Sequence, residues 1–333
     1  MDVFTSLEDF IENHYSLKIQ RLEQLTGKIY KVVTRENDYL LKFSSGDDEF
    51  IMKQLFAHKV MPGHVLPIYR TAEKEHRVLE GEKFWYLTDF VPVIPVPLEK
   101  QVGDYVGLLR KLHKETEIMV DMSDDEITRM HDDEYRILQE SYSQLQKTME
   151  DCELKRDRSP YDWYFMMVYP MMYGMLHHAN EALEKFYKSV RREKKLPMCL
   201  IHGDVNVANL LVGEKSTNLI NFERSKFGMS GTDMVEFIHH YHQVPGLQYT
   251  ILDYLKTENR AVLRNHFFFK SLCLDLQTLE TQGPRGALER ISLLNELLAP
   301  HMMALQVFDE YHRKPPPAPK KNPLQEVMAQ AKK

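Results

Sequence analysis

The sequence predicts an α+β protein of two unequal lobes, a small β-rich one followed by a larger helical one. Strand-type patterning fills residues 1–91, the run Pro92-Val93-Ile94-Pro95-Val96-Pro97 interrupts it, and helical apolar spacing dominates residues 92–313. Proline has no N–H to give a sheet ladder, so the run ends the sheet. Strands first and helices afterwards segregate into separate layers. The expected domains are therefore a β-rich lobe at 1–91, a helical lobe at 92–313 carrying a catalytic-type loop at 200–223, and a Pro/Lys-rich tail at 314–333. The tail's composition marks it as a stiff, disordered extension.

A short amphipathic helix at 5–14, capped by Thr5 or Ser6, opens the chain. β-formers then cluster at 18–25, 29–35 and 39–43, with Glu36-Asn37-Asp38 as the last turn between them. Phe50, Ile51, Leu55 and Phe56 recur at helical spacing within 47–60, and Ser45, Asp47 and Asp48 supply the capping and acidity of a helix start. Strands at 64–68, 77–79 and 84–91 complete the lobe, and residues 89–95 form the hinge.

Past the hinge, Val102, Tyr105, Val106, Leu109 and Leu112 mark one face of a helix that runs into His113. A histidine there is expected to interact with the last helical carbonyls. A charged helix follows at 122–154, starting from Ser123-Asp124-Asp125-Glu126, then a Met-rich core helix at 161–194 kinked at Pro170. Further helices are expected at 231–238, 247–257, 260–278 and 285–312, the last two parted by Gln282-Gly283-Pro284.

A net charge of -6 and a pI near 6.2 give no overall attraction to nucleic acid or to an anionic membrane. Cys152, Cys199 and Cys273 are odd in number and widely spaced, which suggests neither a disulfide framework nor a zinc site. His177-His178 and His239-His240-Tyr241-His242 lack the accompanying ligands of a metal site. Met1-Asp2-Val3-Phe4 does not read as a leader and no apolar run is long enough to span a bilayer, so the expectation is a chain made and kept in the cytosol.

The chemistry concentrates in Leu200-Ile201-His202-Gly203-Asp204, with Asn209 five residues on, and in Leu219-Ile220-Asn221-Phe222-Glu223. An Asp able to accept a hydroxyl proton, followed by an Asn able to offer a carbonyl oxygen to a metal, is the arrangement of phosphoryl-transfer loops. The plainer alternative is a hairpin turn, since Gly, Asp and Asn all favour turns. Lys42 lies inside the apolar strand 39–43, where it must either reach solvent along its own stem or find an anion.

His202-Gly203-Asp204, four residues, then Asn209 resembles the His-Gly-Asp-x-x-x-x-Asn loop of the aminoglycoside phosphotransferase and choline kinase superfamily. Within it the chain looks like the branch of bacterial spore coat proteins typified by CotS and YutH, over roughly residues 5–310. That resemblance implies a protein-kinase-like fold that binds ATP and Mg2+. Asp204 would be the base, with His202 shaping the catalytic loop; Lys42 would hold phosphates. Glu49 is the candidate partner of Lys42, or else a solvated first-turn acid, and the adenine would meet backbone groups at Asp89, Phe90 and Val91. Metal ligands would be Asn209, Asn221 and Glu223; Asp233, by its own chemistry a natural N-cap of the next helix with Thr232 as the alternative, also matches the Asp that opens that helix in the family and braces the loop.

The departure is Asn221, where such proteins usually carry Asp. An amide keeps one coordinating oxygen but loses a full negative charge, so metal affinity should fall. Glu223, two residues along a strand and thus on the same side, is a candidate substitute. Gly27 is the only glycine in the first hairpin, which has no Gly-rich phosphate loop.

Two functions remain open. One is a spore coat-associated protein with a structural or assembly role, impaired phosphotransfer and other coat proteins as partners. The other is an active ATP/Mg-dependent phosphotransferase for a small hydroxyl or amino acceptor, using Asp204 as base.

Overall fold

Side chains alternate along β3 (Asp38–Ser44), and that alternation layers the small lobe. β3 is the centre of a five-stranded antiparallel sheet with β1 (Ile19–Thr26), β2 (Ile29–Thr34), β4 (Val78–Glu80) and β5 (Lys83–Asp89), in the order β1-β2-β3-β5-β4. On one face Leu41, Val32 and Leu87 pack with Ile11 and Tyr15 of α1 (Leu7–Tyr15). On the other, Phe84 and Tyr86 meet Phe50 and Ile51 of α2 (Glu49–Val60). Lys42 is paired in register with Tyr86, so it belongs to this second face.

The computed structural model describes residues 7–44, 49–81, 83–257, 261–276 and 286–313. The tail at 314–333, the cap at Thr5 or Ser6, the helix-start residues Ser45, Asp47 and Asp48, and the separator Gln282-Gly283-Pro284 lie outside the described residues. The strand expected at 64–68 is not formed. Pro67 cannot donate to a ladder, and the segment makes isolated bridges, Val65 to Pro62 and Leu219 and Ile68 to Thr88.

The large lobe holds α3 (Leu98–Glu115), α4 (Asp124–Leu154), α5 (Pro160–Glu193), α6 (Gly231–Tyr241), α7 (Leu247–Thr257), α8 (Ala261–Leu272) and α9 (Ala287–His312). Capping boxes start α4, through Ser123 and Glu126, and α5, through Ser159 and Asp162. α5 is continuous across Pro170 and buries Met172, Met175, Leu176 and Leu183. α8 stops at Leu272, short of its expected end. α9 alone among the described helices is long and apolar enough in composition to cross a bilayer; its Leu294, Leu298, Ala304 and Val307 are buried in the core.

Between these helices lies a buried ionic cluster. Glu134 accepts hydrogen bonds from Tyr187 at 2.9 Å and from His266 at 3.3 Å, and pairs with Lys270 at 2.9 Å. Burial opposes its charge, but the bonds and charges of His266 and Lys270 outweigh that and hold its carboxyl down at about 2.

Two short strands escaped the sequence pattern. β6 (Ile118–Asp121) and β10 (Lys226–Gly228) flank β7 (Lys195–Ile201) in a three-stranded antiparallel sheet. Beyond β7, β8 (Leu210–Val212) and β9 (Thr217–Leu219) form a hairpin. This hairpin ties the lobes together, with Leu219 N donating to His64 O at 2.8 Å and Ile94 N to Val212 O at 2.9 Å. The cleft opens between the hairpin and the Lys42 face of the sheet.

Candidate functional site

β7 delivers the chain into a turn that only glycine fits. Gly203 has φ +72°, and a Cβ built there would lie 2.3 Å from the carbonyl oxygen of Arg224. Asp233 clamps this turn from behind. Fully buried, it accepts the backbone N–H of His202 at 2.8 Å and of Gly203 at 3.0 Å, and pairs with His113 Nε2 at 2.8 Å. Burial works against its charge, yet His113 and the two amides hold its carboxyl below the usual carboxylate range.

Asp233 is therefore not the N-cap of α6. The helix begins at Gly231 after Ser230, which makes no side-chain cap, while the Asp233 carboxylate is engaged by the loop. Nor does His113 serve the last carbonyls of α3. It is buried between Asp233 and Tyr254, whose hydroxyl lies 3.0 Å from Nδ1.

His202, expected in the catalytic set, is completely buried. Its Nε2 sits 2.8 Å from Ile220 O, and its ring lies edge-on to Tyr105 and against Phe222. A side chain so enclosed cannot touch a substrate; it pins the Asp204 turn to the residue before Asn221.

Asn221 has φ +62° and ψ +61°, left-handed backbone that Asn and Asp tolerate better than most residues. Residues Phe222–Arg224 then make one 3-10 turn, not a strand. The strand alternation expected to place Glu223 beside Asn221 thus fails, and Glu223 is exposed. Its charge still reaches Lys42 and Tyr86 through space.

Four side chains then join in a line. Lys42 Nζ donates to Asn221 Oδ1 at 2.7 Å, Asn221 Nδ2 donates to Asn209 Oδ1 at 2.7 Å, and Asn209 Nδ2 donates to Asp204 O at 2.8 Å and Oδ2 at 3.2 Å. An ammonium can only donate, so Lys42 fixes the orientation of each amide after it. Burial pushes the Lys42 ammonium below its ordinary pKa, and Glu223 partly opposes the shift. Asp204, partly exposed, stands at the open end with Arg224 Nη1 3.9 Å away.

Other expected contacts fall elsewhere. Glu49 is solvated in the first turn of α2 and pairs with Lys53 at 3.1 Å, while Lys42 is given to Asn221. At the hinge, Asp89 accepts the Tyr69 hydroxyl at 2.6 Å, and Phe90 donates its N–H to Asp38 O at 3.1 Å. Val91 abuts the hairpin, its Cγ1 2.9 Å from where a Cβ on Gly213 would lie.

Between sheet and hairpin the cavity measures about 20 Å³, walled by Leu40, Lys42, Tyr86 and Thr88 on the sheet and by Leu211 and Ile220 below. That is room for about one water molecule. Small-molecule sites are ordinarily ~300–1,000 Å³. Leu40 and Tyr86, which sequence reasoning passed over, supply part of the bulk, although their alternation with Leu41 was visible. The metal side is as poorly provided. Mg2+ is held through carboxylates and phosphates, whereas Asn209 and Asn221 offer two neutral amide oxygens, each already accepting a hydrogen bond. The residues present do not fit a magnesium ion in this arrangement.

No protein-family model matches the chain. No curated protein matches it significantly by sequence. Solved structures do match by fold. An aminoglycoside phosphotransferase from Alicyclobacillus acidocaldarius is 16% identical with a TM-score of 0.58, the alignment covering 89% of this chain and 94% of that one. A spectinomycin phosphotransferase solved with ADP and spectinomycin is 15% identical with a TM-score of 0.48, covering 91% and 96%. Choline kinase LicA from Streptococcus pneumoniae is 12% identical with a TM-score of 0.43, covering 92% and 98%. The first of these shows a shared fold: a small sheet lobe on a large helical lobe, of the kinase-like phosphotransferase type.

Proposed function

We propose that this chain is a spore coat-associated protein that keeps a kinase-like fold for a structural or assembly role and has lost most or all capacity for phosphotransfer. One observation carries the loss: at the metal position stands Asn221, a neutral amide already bonded to both Lys42 and Asn209. At an effective dielectric of about 20, one unit charge at ~4 Å from another is worth ~4 kcal/mol, and a divalent ion doubles that before hydration offsets it. About 1.4 kcal/mol is already tenfold in rate. The coat setting, with other coat proteins as partners, rests on the resemblance to the CotS and YutH branch over roughly residues 5–310.

A second reading is an active ATP/Mg-dependent phosphotransferase for a small acceptor, with Asp204 as base. Its support is that Asp204 is partly exposed at the open end of the line and shares it with Lys42 and Asn209.

The two separate in spores that carry Asp204→Asn in place of the wild-type chain. Asp204 is partly exposed, so the variant should fold. Unchanged deposition of this chain and of other coat proteins is expected; coats that lose proteins while the variant accumulates normally would favour the enzyme.

A further inference from the structure

We propose that a second cavity, in the helical lobe and apart from the Lys42 cleft, binds a small molecule carrying a phosphate or carboxylate group. The cavity has a volume of about 770 Å³ and is walled by the end of α3, by β7, by the start of α6 and by α7. That is the size of a metabolite site rather than a water pocket.

Its charge sets the ligand class. Arg110 and Lys114 lie one turn apart on α3, both exposed on the cavity wall, and neither has an ion-pair partner among the described residues. Glu117 is the one carboxylate among the described lining residues, so cations outnumber it. Basic residues in a last helical turn are often explained by the helix dipole alone. That explanation does not cover the opposite wall. There Ser230 is 3% exposed and its Oγ is buried without a hydrogen-bond partner among the described residues. A buried hydroxyl left unpaired costs ~1–3 kcal/mol, and a rotation of Ser230 about its side-chain torsion would turn it toward the cavity, where a ligand oxygen would recover that cost.

His113 also lines this cavity, and its Nε2 is bonded to Asp233, the residue that clamps the Asp204 turn. A ligand here would sit one side chain from the clamp. Nothing in this placement depends on whether the Lys42 cleft turns over ATP.

Pyrophosphate and citrate are the probes, titrated into the full chain at ionic strength held constant with sodium chloride and followed by thermal unfolding. Three proteins are compared: wild type, Arg110→Ala with Lys114→Ala, and Lys185→Ala with Arg192→Ala, which removes two exposed charges elsewhere. A saturable rise in Tm is expected for wild type and the distant variant, with at least tenfold weaker binding in the Arg110/Lys114 variant. A response to pyrophosphate alone assigns a phosphate ligand, and to citrate alone a carboxylate. No saturable rise with either probe, or the same rise in all three proteins, would overturn the site.

Discussion

Asn221 gives its side-chain N–H to Asn209 at 2.7 Å while accepting from Lys42 at the same distance. One amide therefore ties the strand lysine to the loop asparagine with both of its polar atoms.

Replacing Asn221 with Asp should strengthen the bond from Lys42 and remove the one to Asn209. Lys42 is buried against a neutral partner, and a carboxylate would turn that bond into a charge-assisted one worth ~1–2 kcal/mol more. The lost N–H to Asn209 Oδ1 costs a similar amount, so a urea midpoint close to that of wild type is expected for Asn221→Asp at pH 7. The pH dependence should differ. Because the native Lys42 pKa lies below 10.5, the native state holds fewer protons in the window between them, and this group's contribution to stability rises with pH there. That rise should be smaller in Asn221→Asp.

Glu134 makes the helical lobe acid-labile. Its native carboxyl titrates at about 2 against an unperturbed 4.5, so its stabilisation is complete above 4.5 and is lost as pH falls toward 2. The difference corresponds to about 3 kcal/mol. Urea midpoints measured from pH 5 down to pH 2.5 should fall less steeply in Glu134→Gln than in wild type.

Gly203→Ala should be costly out of proportion to one methyl group. The left-handed backbone costs an L-residue ~1–2 kcal/mol, and the Cβ would collide with Arg224 O. A loss of at least about 2 kcal/mol by chemical denaturation is expected, against little change for Gly103→Ala, where a Cβ meets nothing within 4 Å and the helix interior favours alanine.

Asp233→Asn keeps the shape but turns an N–H toward donors. Only one carboxylate oxygen is replaced, so either the Gly203 amide or the His202 amide with His113 faces an N–H, the buried charge is lost, and a loss of roughly 3–5 kcal/mol is expected. Hydrogen exchange at the His202 and Gly203 amides should accelerate more than exchange in α5.

The two-lobed plan was legible because prolines and period changes mark it. The loop motif was legible because Gly203, Asp204 and Asn209 have backbone or hydrogen-bonding demands that few residues meet. His113 was half legible: it lies four residues past Leu109 on the buried stripe, but its partner is 120 positions away. β6 and β10 were invisible because three or four residues carry no period. Glu223 was misread because the left-handed turn at Asn221, which breaks the strand, depends on tertiary contacts. The tight cleft was unreadable for the same reason, since it needs Tyr86 and Leu211 to be brought together.

The most direct measurement is calorimetric titration of the wild-type chain with ATP, with and without magnesium, followed by assay for ADP. The account predicts no magnesium-dependent binding and no turnover. Tight binding that requires magnesium, accompanied by ADP release, would contradict it.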